Sequence, residues 1–434
     1  MIAYLGTAKR DITPKRPIPL AGYGWRHGPF EGVDRPLHAR FYWFRFEAEG
    51  EAPAEALFVF ADLICWGDDQ MPRLRQALLE AFGLPPERIV LQGTHTHGGP
   101  PTSAYLSPEI GRRDEAYVMW LEEETVKGAA EARRSANEPV TISVGTGAFG
   151  LGIHRRKRED GRIVGKPNPE GPTDPEVTVV RFDRSDGSPK GVWFHYTCHP
   201  TIGDAPRVDA EYPGAAAERL ERELGPDALP AFVQGCCGDV RPNLSRDGAF
   251  YRGGDADIRA QGDALAAEVL RVLRGGMRPA GAAAPRFIRR AARLPFRHVP
   301  DEAALRTYAD GDDRILAAWS RTLLERPERL QPAVPLELTY VRLAEGLALL
   351  AMNGEIVVEY GLRIKRAFPG ITIPMGYANG MTGYVPTAKQ VEEGGYEGGD
   401  AYVYFGLPSA FAIEIEERVA EVVDELAREQ ENAT

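Results

Sequence analysis

Hydrophobic positions along the chain repeat with two periods, and the switches between them mark its elements. Residues 56–61 form an unbroken apolar run ending at Asp62, which reads as a buried strand. Met71, Leu74, Leu78, Leu79 and Phe82 then recur at helical spacing, with Asp68 as the cap and Gly83 as the stop. Residues 88–93 return to an apolar, β-branched run, broken by Gly98, Gly99 and Pro100. The series 56–64, 69–82 and 88–93 predicts a βαβ-like unit, and with it an α/β fold of mixed β-sheets covered by helices.

The same reading predicts strands at 38–47, 139–147, 177–182, 192–197, 231–234, 286–296, 336–343, 347–352 and 371–374. It predicts helices at 114–135, 213–225, 256–273, 302–309, 315–324, 356–367 and 409–429. The Gly/Pro/aromatic loop 17–35, with Gly22-Tyr23-Gly24-Trp25 at its centre, either walls a pocket or packs as a closed loop. The polar, Gly-rich stretch 243–255 reads as a lid. The Gly/Pro/Ala-rich stretch 275–285 is the place for a sub-domain junction inside a single domain spanning 1–434.

Composition narrows the partners. Hydrophobic residues make up 43% and charged residues 26% of 434 residues, an ordinary globular balance. A formal net charge of −11 argues against nucleic acid and against an anionic membrane surface, and leaves a small-molecule substrate. No apolar run is long enough for a membrane span. The opening residues lack the basic and apolar regions of an export signal, and four cysteines make no disulfide framework, so a cytoplasmic protein is expected. Homo-oligomerisation is left open.

The chemistry concentrates where strands end. His95 and His97 follow the 88–93 strand, and an i, i+2 pair on an extended chain shares one face. They read as one wall of a metal site or as a packed turn. His199, held extended by Pro200, is a second ligand candidate, whereas His195 reads as a core histidine. Glu355, at a strand-to-helix junction, is either a ligand or a charge at a helix N-terminus. The run Gly152-Ile153-His154-Arg155-Arg156-Lys157-Arg158 is expected in a loop whose arginines hold an anion, or else form a solvated face. Gly235-Cys236-Cys237-Gly238 is a tight strand exit whose cysteines read as buried filler.

Taken in order, these segments resemble the catalytic domain of the neutral/alkaline, non-lysosomal ceramidases. The resemblance runs through Gly6-Thr7-Ala8-Lys9-Arg10-Asp11-Ile12-Thr13-Pro14, Ala61-Asp62-Leu63, Thr94-His95-Thr96-His97-Gly98-Gly99-Pro100, Ile153-His154-Arg155, Cys198-His199-Pro200, Gly238-Asp239-Val240-Arg241-Pro242-Asn243, Asn353-Gly354-Glu355 and Thr382-Gly383-Tyr384-Val385-Pro386-Thr387. It implies a Zn2+ ion held by His95, His199, Glu355 and Tyr384. It further implies catalytic roles for His97, Arg155 and Tyr396, and hydrolysis of an amide by metal-activated water.

Three departures fall on the substrate side rather than the metal side. Arg241 stands where ceramidases have serine, His154 where they have asparagine, and Gly98 where they have serine. Arg155, Arg156 and Arg241, with His154, therefore predict a polar or anionic substrate smaller than a two-chain lipid. Neither an export signal nor a C-terminal immunoglobulin-like domain is expected. The rival readings are a zinc esterase on the same scaffold, a Cys-His hydrolase using Cys236 or Cys237, and a non-catalytic binding protein.

Overall fold

The computed structural model describes residues 1–50 and 52–431. Its largest sheet runs, edge to edge, through Leu229–Gln234, Pro189–Tyr196, Glu176–Asp183, Glu138–Ala148, Ile2–Asp11, His38–Glu47, Ala54–Ala61 and Ile89–Gly93. The outermost pair on each side is parallel and the pairs between are antiparallel. The helix Met71–Phe82 links the parallel strands Ala54–Ala61 and Ile89–Gly93, which is the βαβ unit expected from the apolar pattern.

Period-two alternation divides the core. On His38–Glu47, Ala39, Phe41 and Trp43 pack beneath helices Met71–Phe82 and Glu115–Arg134, while Tyr42, Phe44 and Phe46 face the opposite way. On Pro189–Tyr196, Val192 and Phe194 pack under helices Glu211–Leu224 and Asp255–Gly275, and Trp193 faces away from them. That inner face meets a second sheet, ordered Arg286–Pro295, Ala333–Ala344, Leu347–Met352 and Ile371–Met375. Helices Val358–Ala367 and Ile415–Glu431 cover its outer side. The result is four layers, helix–sheet–sheet–helix. Stretch 275–285 is the passage between the sheets: Arg278–Pro279 pairs with the first and Gly281 bridges to Glu345 of the second.

Four expectations shift. The run 152–158 is a strand, Gly152–Glu159, not a loop. Asp68 does not cap the first helix, which starts at Met71 behind Gln70; its carboxylate instead accepts the N–H of Met381 at 2.7 Å. The final helix begins at Ile415, because 409–414 is drawn into contacts with Arg286–Pro295 and its exit: Ala412 N–H bonds Pro295 and Arg297 N–H bonds Ala410. The stretch 243–255, expected as a loop and lid, carries a small hairpin, Ser245–Arg246 against Ala249–Phe250, and is tied down by the Gly253 N–H on the Ile202 carbonyl. Among the described residues no helix is long and apolar enough to cross a membrane.

Candidate metal centre and its cavity

The two edge strands of the large sheet, Ile89–Gly93 and Leu229–Gln234, are joined by a pair of buried glutamines. Gln92 Nε2 donates to the Gln234 carbonyl at 2.7 Å, and the Gln234 N–H donates to Gln92 Oε1 at 3.1 Å. The Gln234 amide then reaches beyond the strand ends to the carbonyls of Thr94, at 3.0 Å, and Cys198, at 3.2 Å. Those are the residues just before His95 and His199. One side chain thus ties together both loops that carry the imidazoles.

His95 is not on the strand. Ile89–Gly93 ends two residues earlier, and His95 takes the left-handed conformation, φ 67°. Strand alternation therefore does not align His95 with His97, as the sequence suggested; the turn does, leaving the rings edge to face with centroids 5.1 Å apart. The loop is anchored by Thr94 and His95 N–H groups on the carbonyls of Ala61 and Leu63. Glu355 enters from a third direction. It lies on the short strand Glu355–Ile356, beside Tyr384 in a parallel pair, just ahead of the helix that begins at Val358.

Three donor atoms converge. His95 Nδ1 lies 2.8 Å from the Ile64 carbonyl and His199 Nδ1 3.0 Å from the Val240 carbonyl. Each Nδ1 is thereby the protonated nitrogen, and each Nε2 presents a lone pair. Both Nε2 atoms face Glu355 Oε2, at 3.4 and 3.3 Å. All three atoms are buried without a hydrogen-bond partner. Lone pairs facing one another in a dry site repel unless a cation lies among them. Burial, and then Arg155, brings His199 down to about 4, so it stays neutral. Two imidazole nitrogens and a carboxylate are a donor set that fits zinc.

A cavity of about 380 Å³ opens beside these residues, with His97, His199, Arg155, Tyr384 and Tyr396 among its walls. His97 is half-buried, and both of its ring nitrogens are buried and lack partners. Burial, reinforced by His95 and His199, holds it well below its ordinary pKa. The loop expected either to wall a pocket or to pack on itself walls this one: Tyr23 and Trp25 line it, and the Tyr23 ring lies 4.8 Å from His97. Gly22, at φ 96°, is required there, since a Cβ would sit 2.1 Å from His97 Nδ1.

Because the basic run is a strand, its neighbours point opposite ways. Arg155 faces the cavity. It donates from Nη2 to the Tyr384 hydroxyl at 2.9 Å and from Nε to Glu397 at 2.7 Å, and it lies over the rings of Tyr384 and Tyr396. His154 and Arg156 face back into the protein, a correction to their expected place at the substrate. Arg156 is bound by Glu397 at 2.8 Å and by the Gly394 carbonyl, and His154 lies 3.1 Å from Asp239. Asp239 also accepts from Val358 N–H and Gln390, and Gln390 donates to Glu359 at 3.4 Å, so these residues form a hydrogen-bonded support behind the site. Arg241 lines the cavity.

His195 is a core residue, its Nε2 3.2 Å from the Pro374 carbonyl. Cys236 and Cys237 are buried and free, and burial raises both thiols. Sequence reasoning missed Gln92, Gln234, Tyr377 and Arg252. The glutamines carried a signal, a polar residue at the end of each of two apolar strands.

Solved structures share this architecture. Neutral ceramidase from Pseudomonas aeruginosa matches with a TM-score of 0.77 and 18% identity, over 98% of this chain and 74% of that one. A ceramidase described as complexed with C2 matches with a TM-score of 0.77 and 17% identity, over 99% and 76%. No protein-family model and no curated protein matches the chain. The fold is ceramidase-like, as the ordered motifs implied.

Proposed function

We propose that this chain is a zinc-dependent hydrolase that cleaves an N-acyl (amide) bond, acting on a substrate smaller and more polar or anionic than a two-chain lipid. One observation carries the reading: the lone pairs of His95 Nε2, His199 Nε2 and Glu355 Oε2 meet in a buried site with no other partner. These three, with Tyr384 from the neighbouring strand, would hold the ion. Bound there, zinc would acidify a water near neutral pH and polarise the scissile carbonyl.

The chain's own residues supply the rest. His97 is a neutral imidazole facing the cavity, suited to take a proton from the attacking water and deliver it to the leaving nitrogen. Burial opposes the charge of Arg155, yet Tyr384 and Glu397 keep its guanidinium firmly protonated. It orients the Tyr384 hydroxyl and adds positive potential where oxyanion charge develops. Tyr396, at the cavity wall beside Tyr384, is a hydroxyl donor for the scissile group. A cavity of about 380 Å³ is at the small end for ligand sites, which favours a compact substrate. The buried, raised thiol of Cys237, engaged with the Tyr377 hydroxyl at 3.1 Å, makes a poor nucleophile.

The test is metal analysis of the purified protein, joined to a panel of N-acyl and O-acyl substrates with and without chelator. Stoichiometric zinc and chelator-sensitive amide cleavage are expected. Chelator-insensitive cleavage abolished by thiol alkylation would overturn the zinc reading, and faster cleavage of the O-acyl compounds would make the protein an esterase.

A further inference from the structure

We infer that Arg241 and Arg252 form a subsite for a compact oxyanion on the substrate, so that the compound cleaved is an N-acyl molecule bearing a carboxylate or phosphate. The inference rests on the hydrolase reading above and identifies what this part of the same cavity selects.

Both arginines line the cavity. Arg155, on the strand paired with that of Arg241, is already compensated by Glu397. Arg241 and Arg252 are not: among the described residues neither has a carboxylate at ion-pair distance. Arg252 Nη1 donates only to neutral oxygens, the Tyr23 hydroxyl at 3.0 Å and the Thr201 carbonyl at 2.8 Å. Arg241 Nε is buried with no partner. Glu109, also at the cavity, is taken by Arg314 at 3.0 Å.

Aromatic rings hold the pair in place of carboxylates. The guanidinium of Arg252 lies 4.6 Å over Tyr23 and that of Arg241 lies 4.2 Å over Phe250. A guanidinium held by its face keeps edge N–H groups available, for Arg252 those other than Nη1, and such an edge matches the oxygens of a carboxylate or phosphate. Burial, then repulsion from Arg252, then from Arg155, lowers Arg241 to about 10. Two unpaired cations are thus held close together in a chain whose net charge is −11. An anion relieves that repulsion, and a neutral lipid tail does not.

The experiment compares two matched pairs: N-acetylphenylalanine against its C-terminal carboxamide, and N-acetylethanolamine phosphate against N-acetylethanolamine. Release of the free amine is followed for each, and binding is measured by calorimetry on zinc-loaded and metal-free protein. At least one anion is expected to be preferred over its neutral partner by about tenfold or more, and the preferred pair identifies the source. Arg241→Ser and, separately, Arg252→Met should collapse the preference in both binding and cleavage, with thermal melts certifying that each variant folds. Equal treatment of both pairs, or a folded variant that keeps the preference, would overturn the inference. Anion-selective binding to metal-free protein without cleavage of any compound would sink the hydrolase reading and leave the subsite standing.

Discussion

The ring of Tyr377 lies almost flat on the imidazole of His95, with centroids 4.0 Å and planes 28° apart. Both residues hold the left-handed conformation, at φ 57° and 67°. Non-glycine residues there cost on the order of 1 kcal/mol each and persist only where their surroundings fix them. The fixing contact is the Gly93 N–H on the Tyr377 carbonyl at 3.0 Å. Tyr377 is a plate that sets the plane in which His95 Nε2 points. Tyr377→Leu should lower zinc affinity about tenfold or more, the scale of outer contacts around metal ligands. Tyr377→Phe keeps the plate and loses only the contact with Cys237, so its affinity should stay within a few-fold. Competition with a chromogenic chelator reads both, and equal losses in the two variants would show that the hydroxyl, not the ring, matters.

Gln234 gives a second prediction. It donates to the Thr94 and Cys198 carbonyls, and its Oε1 accepts the Gly235 N–H at 3.0 Å. Gln234→Leu leaves the buried Thr94 carbonyl unpaired, at about 1–3 kcal/mol, whereas the Cys198 carbonyl keeps the Tyr212 hydroxyl and the Gly235 N–H keeps the Tyr196 carbonyl. Chemical denaturation should show a loss of about 1–3 kcal/mol, and zinc should be held more weakly in the fraction that folds. Unchanged stability would mean the two loops are held together by something else.

Much of this was legible in the chain, and the losses have physical causes. The βαβ unit from Ala54 to Gly93 announced itself because a fully buried strand and an amphipathic helix leave unmistakable periods. The four-layer stacking did not, since period two says which residues share a face and not which sheet that face meets. Dense charge made Gly152–Glu159 read as loop, yet strand alternation is what separates Arg155 from His154 and Arg156. His95, His199 and Glu355 were findable as polar residues at strand exits. Tyr377 was not, because its role comes from a backbone angle and from a partner 282 positions away in sequence.

Asp68 supplies a pH-dependent prediction away from the metal centre. Burial raises its carboxyl from 3.8 to about 6, against the pull of Arg329 and the Met381 N–H. The folded state therefore binds this proton more tightly than the unfolded chain, and stability drains away as pH climbs from 3.8 towards 6. Asp68→Asn retains an oxygen for Met381 and removes the charge. It should stabilise the protein by about 1–2 kcal/mol at pH 8 and by little at pH 4. Melting curves across that range decide it; a gain that does not depend on pH would assign the effect to something other than the charge.

The proposed division of labour around the cavity makes the sharpest prediction, because it assigns neighbouring residues to different losses. Glu355 faces both imidazoles and is buried, so replacing it removes the one negative charge among the converging donors. Glu355→Ala should be purified without zinc and without activity. His97 is set 5.1 Å from His95 and 6.3 Å from His199 between ring centroids, and its carbonyl is held by Arg26 at 2.6 Å. Its ring nitrogens have no structural duty to lose. His97→Ala should keep zinc near wild-type content, while kcat falls by about 10²–10⁴, the range for a general acid–base group. Metal content and rate measured on the same preparations separate the two roles. If His97→Ala also lost its metal, His97 would be a ligand and the proton would have to travel by another group. If Glu355→Ala kept it, the three-donor centre would be wrong.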